Sequence, residues 1–216
     1  MASLVSVNVG RSRSIATGRR SVRTAIWKAP VEGRVAARGV NLAGDEQADR
    51  SVHGGPDKAI YAYASEEIQA WEAELRHDLG PAPFGENLTT EGIDVSGALV
   101  GERWRIGTTL LEVVQPRVPC FKLALRIDEP AFLKRFARAS RPGAYLRIVE
   151  EGELRAGDPI EVDLANLPGH GVTMRIVFDA ALLDDTLIPQ VLEAPELLPS
   201  LREWLTSRLA TAEPQP

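Results

Sequence analysis

The chain has 216 residues, 44% hydrophobic and 25% charged, which is ordinary for a soluble globular protein and long enough for one full domain with a small appendage. Its net charge of -5 and pI near 5.4 argue against general nucleic-acid binding and against anionic membranes. A single cysteine excludes an internal disulfide framework and an all-cysteine zinc site; with no targeting segment or membrane-length apolar run visible, a cytoplasmic protein is expected.

In chain order, ASLVSVNVG alternates apolar and polar residues and predicts a strand. VRTAIWKAPVEGRVAARGV breaks into short β-type pieces at Pro30 and Gly33. A polar, glycine-punctuated loop, LAGDEQADRSVHGGPD, runs into the strand KAIYAYA. Ser65 is placed to cap a helix, Glu66 and Glu67 suit its first turn, and Ile68, Trp71 and Leu75 share one face. FGENLTTEGIDVSGALVGERWRIGTTLLEVVQP predicts short strands with glycine turns, including a hairpin around Gly107. DEPAFLKRFARAS predicts a helix with Pro130 in its first turn and Phe132, Leu133 and Phe136 inward. GAYLRIVEEGELRAGDPIEVD has the pattern of another hairpin.

After Pro168-Gly169 the texture changes. TMRIVFDAALL, TLIPQVLEA and ELLPSLREWLTSRLA predict three short helices, with Thr173 and Asp185 as caps, although TMRIVF is also compatible with a strand. The expected organisation is a mostly β body over residues 1–168 and a small helical subdomain over 169–216. Many short strands with glycine turns favour a closed or partly closed barrel. The tail either covers an open end of that barrel or makes a homodimer contact, and Leu201, Trp204 and Leu205 on one face suit both.

Three stretches could carry chemistry. In RSVHGGPDK, Gly54-Gly55 frees backbone N–H groups to approach an anion, with Arg50 and Lys58 adding charge; a hairpin turn with solvated charges is the plainer alternative. In FGENLTT, Gly85 permits a sharp bend and Glu86 and Asn87 offer polar groups; alternatively Asn87 only bonds its own turn. In PRVPCFKLALR, Cys120 follows a proline break and precedes a segment spaced to start a helix, with Arg117, Lys122 and Arg126 around it. Such surroundings favour a thiolate, the form that serves as nucleophile or soft-metal ligand, whereas a lone cysteine is otherwise a small buried hydrophobe. His77 and His170 read as surface residues, and no Walker, dinucleotide or zinc-protease motif occurs.

The order GDEQADRSVHGGPDKAIYAY, FGENLTTEGID, GERWRIGTTLLEVVQPRVPCFKL, RPGAYLRIVEEGELRAGDPIEV resembles the MOSC family, the domains similar to the C-terminal part of molybdenum cofactor sulfurases. TAIWKAPVEGRV and the three-helix tail look like the bacterial YiiM-type subgroup. The resemblance implies a mainly β, MOSC-type β-barrel with a few peripheral helices. It also implies molybdenum cofactor (molybdopterin) bound with Cys120 as metal ligand; pyridoxal phosphate is not expected. His53, Gly54, Gly55, Asp57 and Lys58, with Gly85, Glu86 and Asn87, match the family's pocket blocks, and Lys28, Arg50, Arg117 and Lys122 are further cofactor-binding candidates. The implied reaction is two-electron reduction of N-hydroxylated compounds, such as 6-N-hydroxylaminopurine and amidoximes, with loss of water. His53, Asp57 and Glu86 are the candidate proton donors. A separate flavoprotein would supply the electrons, and a cationic rim near Cys120 could dock an acidic partner. A non-catalytic cofactor carrier or sulfur-handling protein is the alternative within the same resemblance.

Overall fold

The structure, a computed structural model, describes residues 1–18, 20–48, 54–129 and 131–212. The first six strands are β1 (Ser3–Val9), β2 (Arg13–Thr17), β3 (Arg20–Thr24), β4 (Ala29–Pro30), β5 (Val35–Arg38) and β6 (Asn41–Leu42). Then come β7 (Ile60–Ala64), helix α1 (Ser65–Leu75), β8 (Leu88–Glu91) and the hairpin β9 (Arg103–Ile106) with β10 (Thr109–Gln115). Helices α2 (Phe121–Ile127) and α3 (Phe132–Ala139) follow, then β11 (Ala144–Glu150), β12 (Gly152–Leu154) and β13 (Ile160–Val162). Helices α4 (Met174–Leu182), α5 (Ile188–Val191) and α6 (Pro199–Ala212) complete the described chain.

Eight strands form one sheet in the order β13-β9-β10-β11-β7-β8-β1-β4. All neighbours run antiparallel except β7 and β8, the pair joined through α1, because a parallel pair needs a crossover connection. The sheet curls until its ends meet. Leu4 N donates to Asp158 O (3.0 Å) and Ile160 N to Ala2 O (3.0 Å), which ties β1 to the segment entering β13. The result is the partly closed barrel that the strand pattern predicts.

The last third of this region departs from the simple hairpin reading. β11 is taken by β10 and β7, β12 crosses to pair with β5, and β13 returns to β9. Strand alternation sets the buried face but not the partner, so pairing is decided by the curl of the whole sheet.

Two apolar clusters organise the interior. The larger joins strand residues such as Leu4, Ile60, Leu88, Trp104 and Leu146 to Met174, Val177, Ile188, Val191 and Leu205 from the C-terminal helices. The smaller is aromatic: Tyr63, Trp71, Phe84, Phe132 and Phe136, with Phe178 of α4 edge-on to Phe136 at 6.1 Å. Trp71 Nε1 donates to the Tyr63 hydroxyl (2.9 Å), and Tyr63 stacks on Phe84 at 4.2 Å. Pairs of this kind contribute about 0.5–1.5 kcal/mol each beyond buried area. They fix Phe84, and with it the bend that follows.

Several local expectations need correction. Thr173 does cap α4, accepting from Ile176 N (3.2 Å), but the next cap is Asp184, whose carboxylate takes Thr186 N, rather than Asp185. Ser65 is the first residue of α1, and Ala64 stands at its cap. On α6, Leu205 is buried and Leu201 half-buried, while Trp204 is 44% exposed under the Arg208 guanidinium. Adjacent residues on a helix sit about 100° apart, so Trp204 cannot share the inward stripe with Leu205. His170 is not a surface residue: Glu196 Oε2 holds its Nε2 at 3.0 Å and only 8% of its side chain is exposed. Pro130 lies outside the described residues.

Candidate functional site

A cleft of about 610 Å³, counting its open mouth, lies against β7 and β11. Its walls come from segments far apart in sequence: residues 24–28, 45–48, 58–61, 85–87 and 117–122, with Tyr145 of β11.

Cys120 borders this cleft as the capping residue of α2, half-buried, with extended backbone (φ -129°, ψ 166°). Pro116 and Pro119 favour an extended approach, because proline fixes φ and restricts the residue before it. Cys120 then starts the helix through its carbonyl, which accepts from Leu123 N (2.9 Å).

Arg117 is the buried cation beside the thiol. Its guanidinium lies over the Tyr61 ring at 5.0 Å and donates to the Phe84 carbonyl. Burial works against its charge, yet Tyr145, Tyr61 and Cys120 more than offset that, and its pKa lies above the ordinary arginine value. Burial also raises Tyr61 and Tyr145, with Arg117 opposing. The two tyrosine rings stand 5.0 Å apart and form a shelf on the same wall.

Also on the cleft wall, Lys28 and Asp45 make an ion pair at 2.5 Å with side chains only 8% and 3% exposed. Burial lowers the Lys28 pKa, and Asp45 only partly restores it. Asp45 is itself held by three donors: Lys28, Gly10 N (2.7 Å) and Asn87 Nδ2 (2.9 Å). Asn87 does not bond its own turn. Its Oδ1 accepts from Tyr61 N (3.1 Å) and its Nδ2 also donates to Asn8 O (3.2 Å), so it bridges β1, β7 and the 45 loop.

Gly85 is required where it stands. Its φ is +70°, and a Cβ there would meet Ile26 Cγ1 at 2.6 Å and Ile26 O at 3.0 Å. Gly55, at φ +93°, opens the short turn Pro56–Lys58, and its N–H is pinned by Gln47 Oε1 (3.0 Å).

The structure thus gathers Lys28, Lys58, Gly85, Asn87, Arg117, Cys120 and Lys122 around one cleft. It does not bring Gly54, Gly55, Asp57 or Glu86 to the cleft wall. Asp57 turns to Arg147 (2.6 Å), an ion pair on the sheet beside β11. Glu86 points beneath the bend, where it accepts from Phe84 N (3.0 Å) and Thr89 Oγ1 (3.2 Å). Arg126 turns its Nη2 to the Pro81 carbonyl. Arg50 and His53 lie outside the described residues. Asp45, Gln47, Tyr61 and Tyr145 are wall residues that motif reading passes over. The one available signal was the polar run GDEQ just ahead of the diglycine.

Burial pushes Glu86 up to about 7, against the hydrogen bonds that favour its ionised form. The folded protein therefore holds a proton that the unfolded chain releases above pH ~4.5, and stability falls as pH rises toward 7. Glu67, also pushed to about 7 by burial, adds to the same trend. Glu86→Gln should flatten the loss between pH 5 and pH 8 by roughly 2 kcal/mol in urea unfolding. An unchanged slope would show Glu86 ionised in the folded state throughout.

Comparison with known proteins places these residues in context. Residues 49–161 match the MOSC domain. Protein YiiM of Escherichia coli (strain K12) is 35% identical over 161 residues, covering 73% of this chain and 70% of that protein. A protein named reductase from Gibberella moniliformis is 34% identical over 165 residues, 74% of this chain but 29% of its own length. The crystal structure of YiiM from Geobacillus stearothermophilus superposes with a TM-score of 0.77 at 28% identity, covering 97% of this chain and all of that one.

Proposed function

Because the chain belongs to the MOSC domain family, we propose that it is a molybdenum-cofactor-dependent reductase of N-hydroxylated compounds, such as 6-N-hydroxylaminopurine and amidoximes, with Cys120 ligating the metal. MOSC domains in general bind molybdenum cofactor, and the name of the fungal relative supports reductive chemistry.

The observation that carries the reading is the donor set of the cleft. One thiol stands there among Lys28, Lys58, Arg117 and Lys122. Among the described residues no group of three His, Cys, Asp or Glu side chains is placed to hold a metal ion. A bare cation gains little from such a site. A metal that brings its own sulfur ligands on an anionic pterin fits it, because one further thiolate completes the coordination and lysines neutralise a phosphate.

Bound cofactor would supply the two electrons that break the N–O bond, the hard chemistry of the reaction. The chain's residues place and charge the site. Arg117, immobilised by the Phe84 carbonyl and the Tyr61 ring, keeps a fixed positive charge near the Cys120 sulfur. The Tyr61 and Tyr145 rings, tilted 38° to each other, give that part of the wall an aromatic character that suits a ring system. Release of water takes up two protons. With Asp57 and Glu86 turned away, the proton-bearing groups on the described wall include the lysine ammoniums and the Tyr145 hydroxyl, while the Tyr61 hydroxyl donates to the Pro142 carbonyl.

The test is protein from a cofactor-competent host, assayed for molybdenum and for reduction of benzamidoxime and 6-N-hydroxylaminopurine by reduced methyl viologen. Stoichiometric molybdenum with amine formation supports the reading. Molybdenum without turnover moves the assignment to a carrier or sulfur-handling protein, and absence of the metal overturns both.

A further inference from the structure

An ammonium carries three N–H donors and no acceptor. Lys28 directs one of them to Asp45 Oδ1, and among the described residues no second acceptor meets its Nζ. Its side chain is more than nine-tenths buried and lines the cleft, so two N–H bonds are left for whatever occupies that space. A buried charge with unmade hydrogen bonds is unfavourable to the fold by itself. The arrangement suits a ligand that brings an oxygen to this point of the wall.

The group is also fixed in place. Its stem runs against Gly10, where a Cβ would meet Lys28 Cγ at 3.1 Å and Trp27 O at 2.5 Å. Asp45 Oδ1 accepts from both Lys28 Nζ and Gly10 N, its Oδ2 accepts from Asn87 Nδ2, and its backbone carbonyl accepts from Asn41 Nδ2 (2.9 Å). A carboxylate anchored at both oxygens cannot turn away, and it holds the ammonium in one direction. Burial lowers the Lys28 pKa most; Asp45 and Glu86 oppose it and Arg117 adds to it, so the proton is held less tightly than on an ordinary lysine. Tyr145 on the same wall goes the other way, because burial raises it and makes its hydroxyl a poorer acid. Lys58 and Lys122 are half-buried, within reach of water.

We propose that Lys28 is the acid of the site: its ammonium hydrogen-bonds the oxygen of the substrate N–OH group and protonates it as the N–O bond breaks. This rests on the reductase reading of the cleft. With two electrons from reduced cofactor and two protons, N–OH becomes N–H and water. The oxygen departs with the bonding pair, the two electrons and a proton from solvent go to nitrogen, and the Lys28 proton turns the departing hydroxide into water. The neutral amine is reprotonated from solvent through the open mouth, a return that the Asp45 charge favours. A hydrogen bond that strengthens as charge gathers on the departing oxygen stabilises the transition state more than the bound substrate. Asp45 acts through Lys28 and is a positioning residue.

The test compares the parent with Lys28→Arg and Lys28→Met/Asp45→Leu, made in the cofactor-competent host and checked for folding by thermal unfolding. Arginine keeps the charge but holds its protons too tightly to donate them, and the double variant removes the pair without stranding either charge. Both should keep parent-like molybdenum and lose about 100-fold or more in kcat for benzamidoxime, with KM changed much less. In the cofactor-free parent labelled at lysine Cε, the resonance that disappears in Lys28→Arg should titrate below the ordinary lysine value of 10.5. Molybdenum lost in step with turnover in both variants would make Lys28 a cofactor-holding residue and overturn the proposal. A parent-like kcat in either variant, or a Lys28 resonance titrating at 10.5 or above, overturns it too. In those cases a parent that turns over keeps the reductase reading and loses only its acid. A parent without molybdenum or without turnover removes that reading and the acid with it.

Discussion

Cys120→Ala is expected to lose molybdenum and turnover together while leaving the fold intact. The side chain is half-buried at a cleft wall rather than packed in the core, so its truncation should change unfolding free energy by less than about 1 kcal/mol. Loss of a direct metal ligand should exceed the 10–100-fold effects typical of groups that merely support ligands. Purified side by side with the parent from the same host, the variant should hold less than about one hundredth of the metal. Cys120→Ser, which replaces a soft sulfur by a hard, poorly acidic oxygen, should behave nearly as badly. Parent-like metal content in the alanine variant would show the thiol to be a bystander, and the reductase assignment would lose its anchor.

Asp45→Ala should be among the most destabilising single changes near the cleft, by about 3–5 kcal/mol, because it strands the Lys28 ammonium in a buried position. It also leaves Gly10 N without its carboxylate acceptor and takes one of two acceptors from Asn87 Nδ2. Asp45 raises the Lys28 pKa against burial, so removing it lowers that pKa further. A lysine that is depressed in the folded state binds its proton more readily when unfolded, and stability then rises with pH. The damage should therefore be greater at pH 6 than at pH 9, as read by urea unfolding. Asp45→Asn keeps a carbonyl for these donors and should lose less, and Lys28→Met/Asp45→Leu should recover much of the loss. A cost under about 1 kcal/mol for the alanine variant would mean that the pair is solvated rather than buried.

The cysteine segment and the bend at Gly85 were legible in the sequence because each carries its own local chemistry. Pro116 and Pro119 dictate an extended approach whatever surrounds them, and a glycine before polar residues marks a turn. Both segments line the cleft. The strand content and its partly closed curl also followed from alternation and glycine spacing.

What was hidden depends on contacts between distant segments. Tyr61 and Tyr63 share one face of β7 and both belong to the aromatic cluster, and nothing local says that Tyr61 also lines the cleft, against Tyr145 from a distant strand. Asp45 looked like one acid in a polar loop; its role arises because Lys28, Gly10 and Asn87 converge on it from three other places in the chain. Glu86 and Asp57 were attractive as acids beside motif residues. Backbone direction at Gly85 and the pull of Arg147 send them elsewhere.

The seam that joins β1 to residues 157–160 sets a condition on how the site comes into being. Residue 2 and residue 160 must find each other across nearly the whole body of the domain, the kind of pairing whose loop-closure cost slows assembly. During synthesis from the N-terminus, the opening strand leaves the ribosome early and waits with one edge unsatisfied until the segment around Pro159 emerges. A chain released before that point keeps a bare strand edge, an invitation to pair with the same edge of another copy.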